Sequence, residues 1–181
     1  MTRAELVSTP SGLAPSGPGW FTVNVRDAAW FANDDLGAGT VFEGQGDAQF
    51  GELGFRIRVL WPGQPNANYH SENAQEDFLV LSGECLLLVE GEQHRLGPWD
   101  FVHSPTGVAH VFVGAGTGPC VLVMTGGRPT EPSFRYPVDE LAQQHGAGVA
   151  EETTDPGEAY ARFAPWQQRR PEGWDELPWN R

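Results

Sequence analysis

The chain has 181 residues, a length that favours one domain with enough core to fold without disulfides. Its formal charge is −13, and all 11 basic residues are arginines. The charge argues against a nucleic-acid partner, and the lack of lysine excludes Schiff-base chemistry.

No apolar segment approaches the length of a membrane span, and the N-terminus lacks the apolar core of a signal peptide. The two cysteines, Cys85 and Cys120, each lie within an apolar run, where a free thiol acts as a small hydrophobic side chain. We therefore expect a reduced, cytoplasmic protein that has no membrane partner.

The N-terminal residues are rich in serine, glycine and proline, a composition that predicts a flexible arm over residues 1–19. Order is expected to begin at Trp20, where Phe21–Val25 alternates like a strand. From there we predict a β-barrel domain over residues 20–130.

A half-buried strand is predicted over residues 55–61 because apolar residues and arginines alternate. One face carries Phe55, Ile57, Val59 and Trp61, and the other carries Arg56 and Arg58. Arginines on an acidic protein are usually solvated or paired, so we expect these two at the surface, although they could reach an anionic substrate.

Short apolar runs separated by turn residues continue to residue 124, with a hairpin turn at Glu90-Gly91. We count eight or nine short strands, and no helical pattern interrupts them after residue 55. This arrangement predicts an all-β sandwich or barrel and excludes a parallel α/β fold.

Helical patterns appear only in a C-terminal segment, residues 131–181. One helix is predicted over residues 138–145, and a second begins at Asp155 with Pro156 at its first position. The tail that follows contains Trp166, Trp174 and Trp179, and tryptophans at this density are seldom left in water. We expect the tail to pack on the barrel or on a second subunit.

Four side chains in the middle of the chain are candidate metal ligands. His70 and Glu72 are two residues apart and so share one face of a strand, and Glu76 precedes the apolar strand that ends at Gly83. His110 opens a strand after a Pro-x-Gly turn. Imidazole and carboxylate groups on neighbouring strands can converge on a divalent ion.

The spacing of these residues resembles the two motifs of the cupin superfamily. The first motif, glycine, His-x-His, glutamate and glycine, is matched by Gly63, His70, Glu72, Glu76 and Gly83, with Glu72 in place of the second histidine. The second motif is matched by Gly97, Pro105, Gly107 and His110, and Gly114 replaces its asparagine. Segments 75–84 and 99–103 are also similar to small bacterial cupins of unassigned activity.

The resemblance implies a double-stranded β-helix of jelly-roll type, a site inside the barrel mouth and a homodimer. The ligand set of His70, Glu72, Glu76 and His110 has two carboxylates, which favour Mn, Fe or Zn, with Ni or Co also possible. A polar barrel mouth without a metal is the alternative, but two buried carboxylates without a cation repel each other.

Two functional hypotheses follow for a small molecule in the cavity. The protein is either a metal-dependent oxygenase, isomerase or lyase, or a binding or sensor module without turnover. His103 is the candidate catalytic residue because it lies in the second motif, and the competing interpretation places it in the barrel wall. The other two histidines, His94 and His145, are expected at the surface and at a helix end.

Overall fold

The computed structural model describes residues 2–180, and most of its regular structure is antiparallel strand. The strands are β1 (Leu6–Thr9), β2 (Gly12–Pro15), β3 (Trp30–Asn33), β4 (Gly37–Val41), β5 (Leu53–Leu60), β6 (Ser71–Glu72), β7 (Glu76–Ser82), β8 (Glu84–Val89), β9 (Glu92–Leu96), β10 (Phe101–Ser104), β11 (His110–Ala115), β12 (Cys120–Gly127) and β13 (Phe134–Arg135). The helices are α1 (Glu140–Gln144) and α2 (Pro156–Tyr160). No helix among residues 2–180 is long and apolar enough to cross a membrane.

The two main sheets form the jelly-roll barrel that the sequence predicts. The larger sheet has the order β10-β7-β12-β5-β4-β3 and the smaller has the order β11-β8-β9. Apolar side chains from both sheets meet inside, including Phe78 and Leu122 from the larger and Leu87 and Phe112 from the smaller. The fold is therefore an all-β double-stranded β-helix with short C-terminal helices.

The free cysteines and the predicted hairpin turn are confirmed. Cys85 and Cys120 are buried free thiols in the inner core. Strands β8 and β9 pair through the turn at Glu90-Gly91, where both residues have positive φ, 47° and 79°. This is the backbone of a tight two-residue hairpin.

The N-terminal residues differ from the prediction of a flexible arm, because β1 and β2 form a hairpin that is bonded to the barrel. Leu13 donates its amide to Asp27 and accepts from the amide of Ala29, at 2.7 and 2.9 Å. Gly12 permits this approach: a Cβ there would lie 2.1 Å from the carbonyl oxygen of Ala28. The composition predicted disorder because the segment has little apolar side-chain area to bury. Composition does not record the backbone hydrogen bonds that hold the hairpin.

The predicted strand at residues 21–25 is wrong, since these residues are irregular and the sheet begins at β3. Trp30 of that strand is fully buried, and Trp174 and Trp179 pack on it with ring centroids 5.5 and 5.3 Å away. The tail thus covers the outer face of the larger sheet. This contact accounts for part of the tryptophan content.

Strand β5 is oriented opposite to the sequence expectation, with its apolar face covered from outside the barrel by the tail. Ile57 and Val59 face outward beneath Leu177 of the tail. Arg58 pairs in register with Leu122 and Arg56 with Met124, so the arginines point into the barrel. An alternating pattern shows which face of a strand is apolar. It predicts that this face points into the barrel only if no other segment covers the outer face of the sheet.

Candidate metal centre

The backbone brings the two histidines onto one face of the barrel mouth. His70 and His110 form an antiparallel bridge, in which each amide donates to the carbonyl of the other, at 3.3 and 2.9 Å. Residues directly opposite in such a pair present their side chains on the same side. The ring centroids are 5.8 Å apart.

The carboxylates reach the same point from two further elements. Glu72 lies on β6, two residues beyond His70, and Glu76 begins β7. Ligand atoms of His70, Glu72 and Glu76 all lie within 4.8 Å of one another. The Nε2 atom of His110 lies 3.3 Å from Oε2 of Glu76. The structure thus brings His70, Glu72 and Glu76 together, and His110 joins this group through Glu76.

Two glycines beside the candidate ligands have a structural reason. The amide of Gly107 donates to the carbonyl of Glu72 at 2.9 Å, which joins the second motif to the first. Gly126, beside Glu76 on β12, leaves space for the carboxylate, because a Cβ there would lie 3.3 Å from Cγ of Glu76. A larger residue would displace the ligand.

The hydrogen bonds of the histidines leave their Nε2 atoms free for a ligand. Nδ1 of His70 lies 2.8 Å from the carbonyl oxygen of Asn68, and Nδ1 of His110 lies 3.0 Å from that of Val108. A carbonyl only accepts, so Nδ1 carries the proton in each ring. Outer hydrogen bonds of this kind orient metal-binding histidines.

Glu76 supplies the test of whether a cation fits. Its Oε2 atom is buried and has no hydrogen-bond partner among residues 2–180. An unpaired buried carboxylate oxygen is costly, and a cation beside it would remove that cost. The donor set of two imidazoles and two carboxylates fits a divalent ion.

The carboxylates and imidazoles influence one another's protonation. Burial and the nearby Glu76 raise the pKa of Glu72 to about 7, while His110 and Arg56 partly offset this. Burial and His110 lower the pKa of His70. For His110, burial opposes protonation but Glu76 outweighs it, so its pKa is raised. A proton on Nε2 of His110 is thus the competitor of a metal ion.

The cavity around these ligands has a volume of about 810 Å³. The C-terminal segment supplies much of its wall, including Tyr136, Tyr160, Phe163 and Trp166. Tyr136 stacks on His70 with ring centroids 5.6 Å apart, and burial and Tyr160 raise its pKa. Sequence reasoning missed these residues because they lie outside the motifs and carry no spacing signal.

A backbone and side-chain network around Asn68 holds this wall against the barrel. The amide of Asn68 donates to the Tyr160 hydroxyl at 3.1 Å, and Nδ2 donates to the carbonyl of Ala159 at 2.6 Å. Asn68 also carries the carbonyl that orients His70. The C-terminal wall and the candidate ligand are thus positioned by one buried residue.

His103, the candidate catalytic residue, lies outside the cavity. It pairs with Asp77 across β10 and β7, and its Nδ1 is 2.7 Å from Oδ1 of Asp77. Half of its side chain is exposed, and Phe101 on the same face is also exposed. His103 thus lies on the outer surface of the barrel and is not among the residues that line the cavity.

The protein is thus a jelly-roll barrel in which histidines and carboxylates lie together at the mouth of a cavity. Residues 56–126 match the family model described as a cupin domain. This part of the chain is therefore similar to a cupin domain, in agreement with the motifs.

Solved structures agree with this assignment. A proposed sugar phosphate isomerase from Acidithiobacillus ferrooxidans is 26% identical with a TM-score of 0.50, and the match covers 56% of this chain and 66% of that one. KdgF from Halomonas sp. is 19% identical with a TM-score of 0.51, over 62% of this chain and 97% of that one, and shows the fold alone. The first match spans slightly less than two thirds of its relative. A search of the curated proteins found no match.

Proposed function

We propose that the protein binds one divalent metal ion through His70, Glu72, Glu76 and His110 and acts on a small molecule in the cavity. The observation that carries the proposal is the buried Oε2 atom of Glu76, which has no hydrogen-bond partner in the described part of the chain. It lies 3.3 Å from Nε2 of His110, a ring whose proton is on Nδ1. The ions that suit this donor set are Mn, Fe or Zn, with Ni or Co also possible.

The surrounding residues would prepare the site for chemistry. The bonds from His70 and His110 to backbone carbonyls hold both rings in place, and Tyr136 covers one face of His70. When bound, the ion would polarise substrate oxygens at its open positions. The C-terminal wall would exclude part of the water from the cavity.

Among oxygenase, isomerase and lyase activities, we favour an isomerase. The likeness to the proposed sugar phosphate isomerase supports this choice, at 26% identity and a TM-score of 0.50. Two tyrosines on the cavity wall, the buried Tyr136 and the half-buried Tyr160, are placed to exchange or hold protons near a polarised oxygen. We further expect a homodimer, which sedimentation analysis would test.

Metal analysis of untagged protein purified without chelators is the direct test. We expect close to one equivalent of a transition metal, or uptake of one when Mn, Fe or Zn is added. Occupancy below about a tenth of an equivalent with no uptake would overturn the proposal. Product formation from hydroxy-carbonyl and keto-acid substrates separates an enzyme from a sensor, because a sensor binds them without turnover.

A further inference from the structure

Two arginines share the cavity with the candidate metal ligands. Arg56 and Arg58 are two residues apart on β5, and both line the cavity. Their register partners on β12, Met124 and Leu122, lie on the inner face of the sheet. The arginines therefore approach the cavity from the barrel wall, as the side chains of His70 and Glu76 do from its mouth.

The guanidinium of Arg58 is held in place without being neutralised. Nη2 donates to the carbonyl oxygen of Asn66 at 3.2 Å, and the indole of Trp166 lies 4.5 Å from the guanidinium carbon. Nε is buried and has no hydrogen-bond partner within residues 2–180. Burial and the neighbouring Arg56 lower the pKa of Arg58 to about 10, so the group remains charged at neutral pH.

Space for this side chain is provided by Gly39 on the adjacent strand. A Cβ at that position would lie 3.3 Å from both Cδ and Nη1 of Arg58. Gly39 is the register partner of Arg58. The sheet thus accommodates a large cation at a place where an aliphatic side chain would normally fill the interior.

The third arginine of the cavity differs because its partners lie within the protein. Arg128 pairs with Glu43 and also donates to the carbonyl of Phe50. Within the described residues, the ion pairs do not include Arg56 or Arg58. In a chain of net charge −13, two neighbouring arginines that form no such ion pair with a described carboxylate are unusual.

Charge balance indicates what would complete the cavity. Glu72 and Glu76 together match the charge of a divalent ion, which leaves the two arginines uncompensated. Arginine forms bidentate bonds to carboxylate and phosphate oxygens, and such bonds are strong where water is excluded. The bound molecule would supply the missing negative charge.

We propose that Arg56 and Arg58 form an anion-binding subsite that holds a carboxylate or phosphate group of the ligand while the rest of the molecule faces the metal ligands. The inference rests on the proposed function, since it identifies the substrate class for the same cavity. Arg58 and Trp166 would fix one end of the ligand, and the four metal ligands would face the other. The ligand is then a small anionic molecule.

Titration calorimetry with inorganic phosphate and with succinate, on full-length protein loaded with Mn(II), tests the subsite. We expect at least one probe to bind, and Arg56→Gln and Arg58→Gln to weaken it at least tenfold at unchanged manganese content. Arg26→Gln, an exposed control with the same charge change, should stay within twofold. A preference for phosphate or for succinate identifies the chemical source of the anion.

Several outcomes would overturn the inference. These are no binding of either probe, wild-type affinity in Arg56→Gln, or an equal loss in Arg26→Gln. Because Arg56 is exposed, Arg56→Gln decides the matter if Arg58→Gln fails to fold. Arginine-dependent anion binding to protein that takes up no manganese would refute only the metal proposal. Manganese binding with anion affinity indifferent to the arginines would refute only the subsite.

Discussion

Nε2 of His110 lies 3.3 Å from Oε2 of Glu76, and both side chains are largely buried, with 4% and 14% of their surfaces exposed. Only a proton or a cation makes this contact favourable, because the other ring nitrogen already faces a carbonyl oxygen. A proton and a metal ion therefore compete for the same position, and metal affinity should fall as pH is lowered.

Removal of a candidate ligand should abolish metal binding. We expect His70→Ala and His110→Ala each to lower metal occupancy at least tenfold, since each removes an imidazole whose Nε2 is free. Metal content of the purified variants is the measurement. His103→Ala is the matched control, because His103 lies on the outer surface beside Asp77. Occupancy that survives both substitutions would place the metal elsewhere.

The metal-free protein should become less stable as pH rises from about 4.5 to about 7 because of Glu72. Its pKa is raised to about 7 in the folded state, so the folded state holds a proton that the unfolded state releases in this range. The stability that protonated Glu72 contributes to the folded state is fully lost above pH 7. Because the Glu72 side chain is partly exposed, we expect the loss in unfolding free energy to be about 2 kcal/mol.

Glu72→Gln removes this titrating group; it also removes a charge that helps to raise the pKa of His110. Chemical denaturation of the two metal-free proteins at several pH values measures the difference in unfolding free energy. The unfolding free energy of the variant should increase relative to that of the wild type as pH rises from about 4.5 to about 7. A constant difference in unfolding free energy between pH 4.5 and 7 would contradict the prediction.

Two motif glycines should respond very differently to the same substitution. Gly83 and Gly107 both have left-handed φ, 72° and 85°, so alanine costs about 1 kcal/mol at either through backbone strain. At Gly83 the Cβ would also lie 2.2 Å from the carbonyl oxygen of Pro119, whereas at Gly107 it meets open space. We expect Gly83→Ala to lose about 3 kcal/mol or more and Gly107→Ala about 1. Similar losses in urea denaturation would refute the steric argument.

The tail should contribute to the stability of the barrel. Leu177 is fully buried against the outer face of the larger sheet, so Leu177→Ala should cost about 2–4 kcal/mol through lost burial and a residual cavity. Leu53→Ala provides the control, because Leu53 is 48% exposed, and it should change stability by less than about 0.5 kcal/mol. Thermal unfolding of both variants measures the contrast. Equal melting temperatures would mean that the tail is not docked in solution.

Local patterns in the sequence were sufficient to predict the barrel and to single out four candidate metal ligands. Alternation along strands and the turn residues between them reflect backbone geometry over a few residues, and the cupin-like motifs add the expectation that His70 and His110 lie on neighbouring strands. The start of the second helix is likewise determined by neighbouring residues, because Asp155 caps it and accepts a hydrogen bond from the amide of Gly157 at 2.7 Å. Such features are decided by neighbours in the chain.

What covers each surface was decided only by the tertiary structure. The sequence cannot show that Leu177, Trp174 and Trp179 pack over β5, which turns Arg56 and Arg58 inward, nor that Tyr160 and Trp166 close the cavity. These contacts join residues about a hundred positions apart, and their energy depends on shape and desolvation that no local pattern records. The motif residues determined the candidate ligands; the distant segments determined the cavity in which those ligands would act.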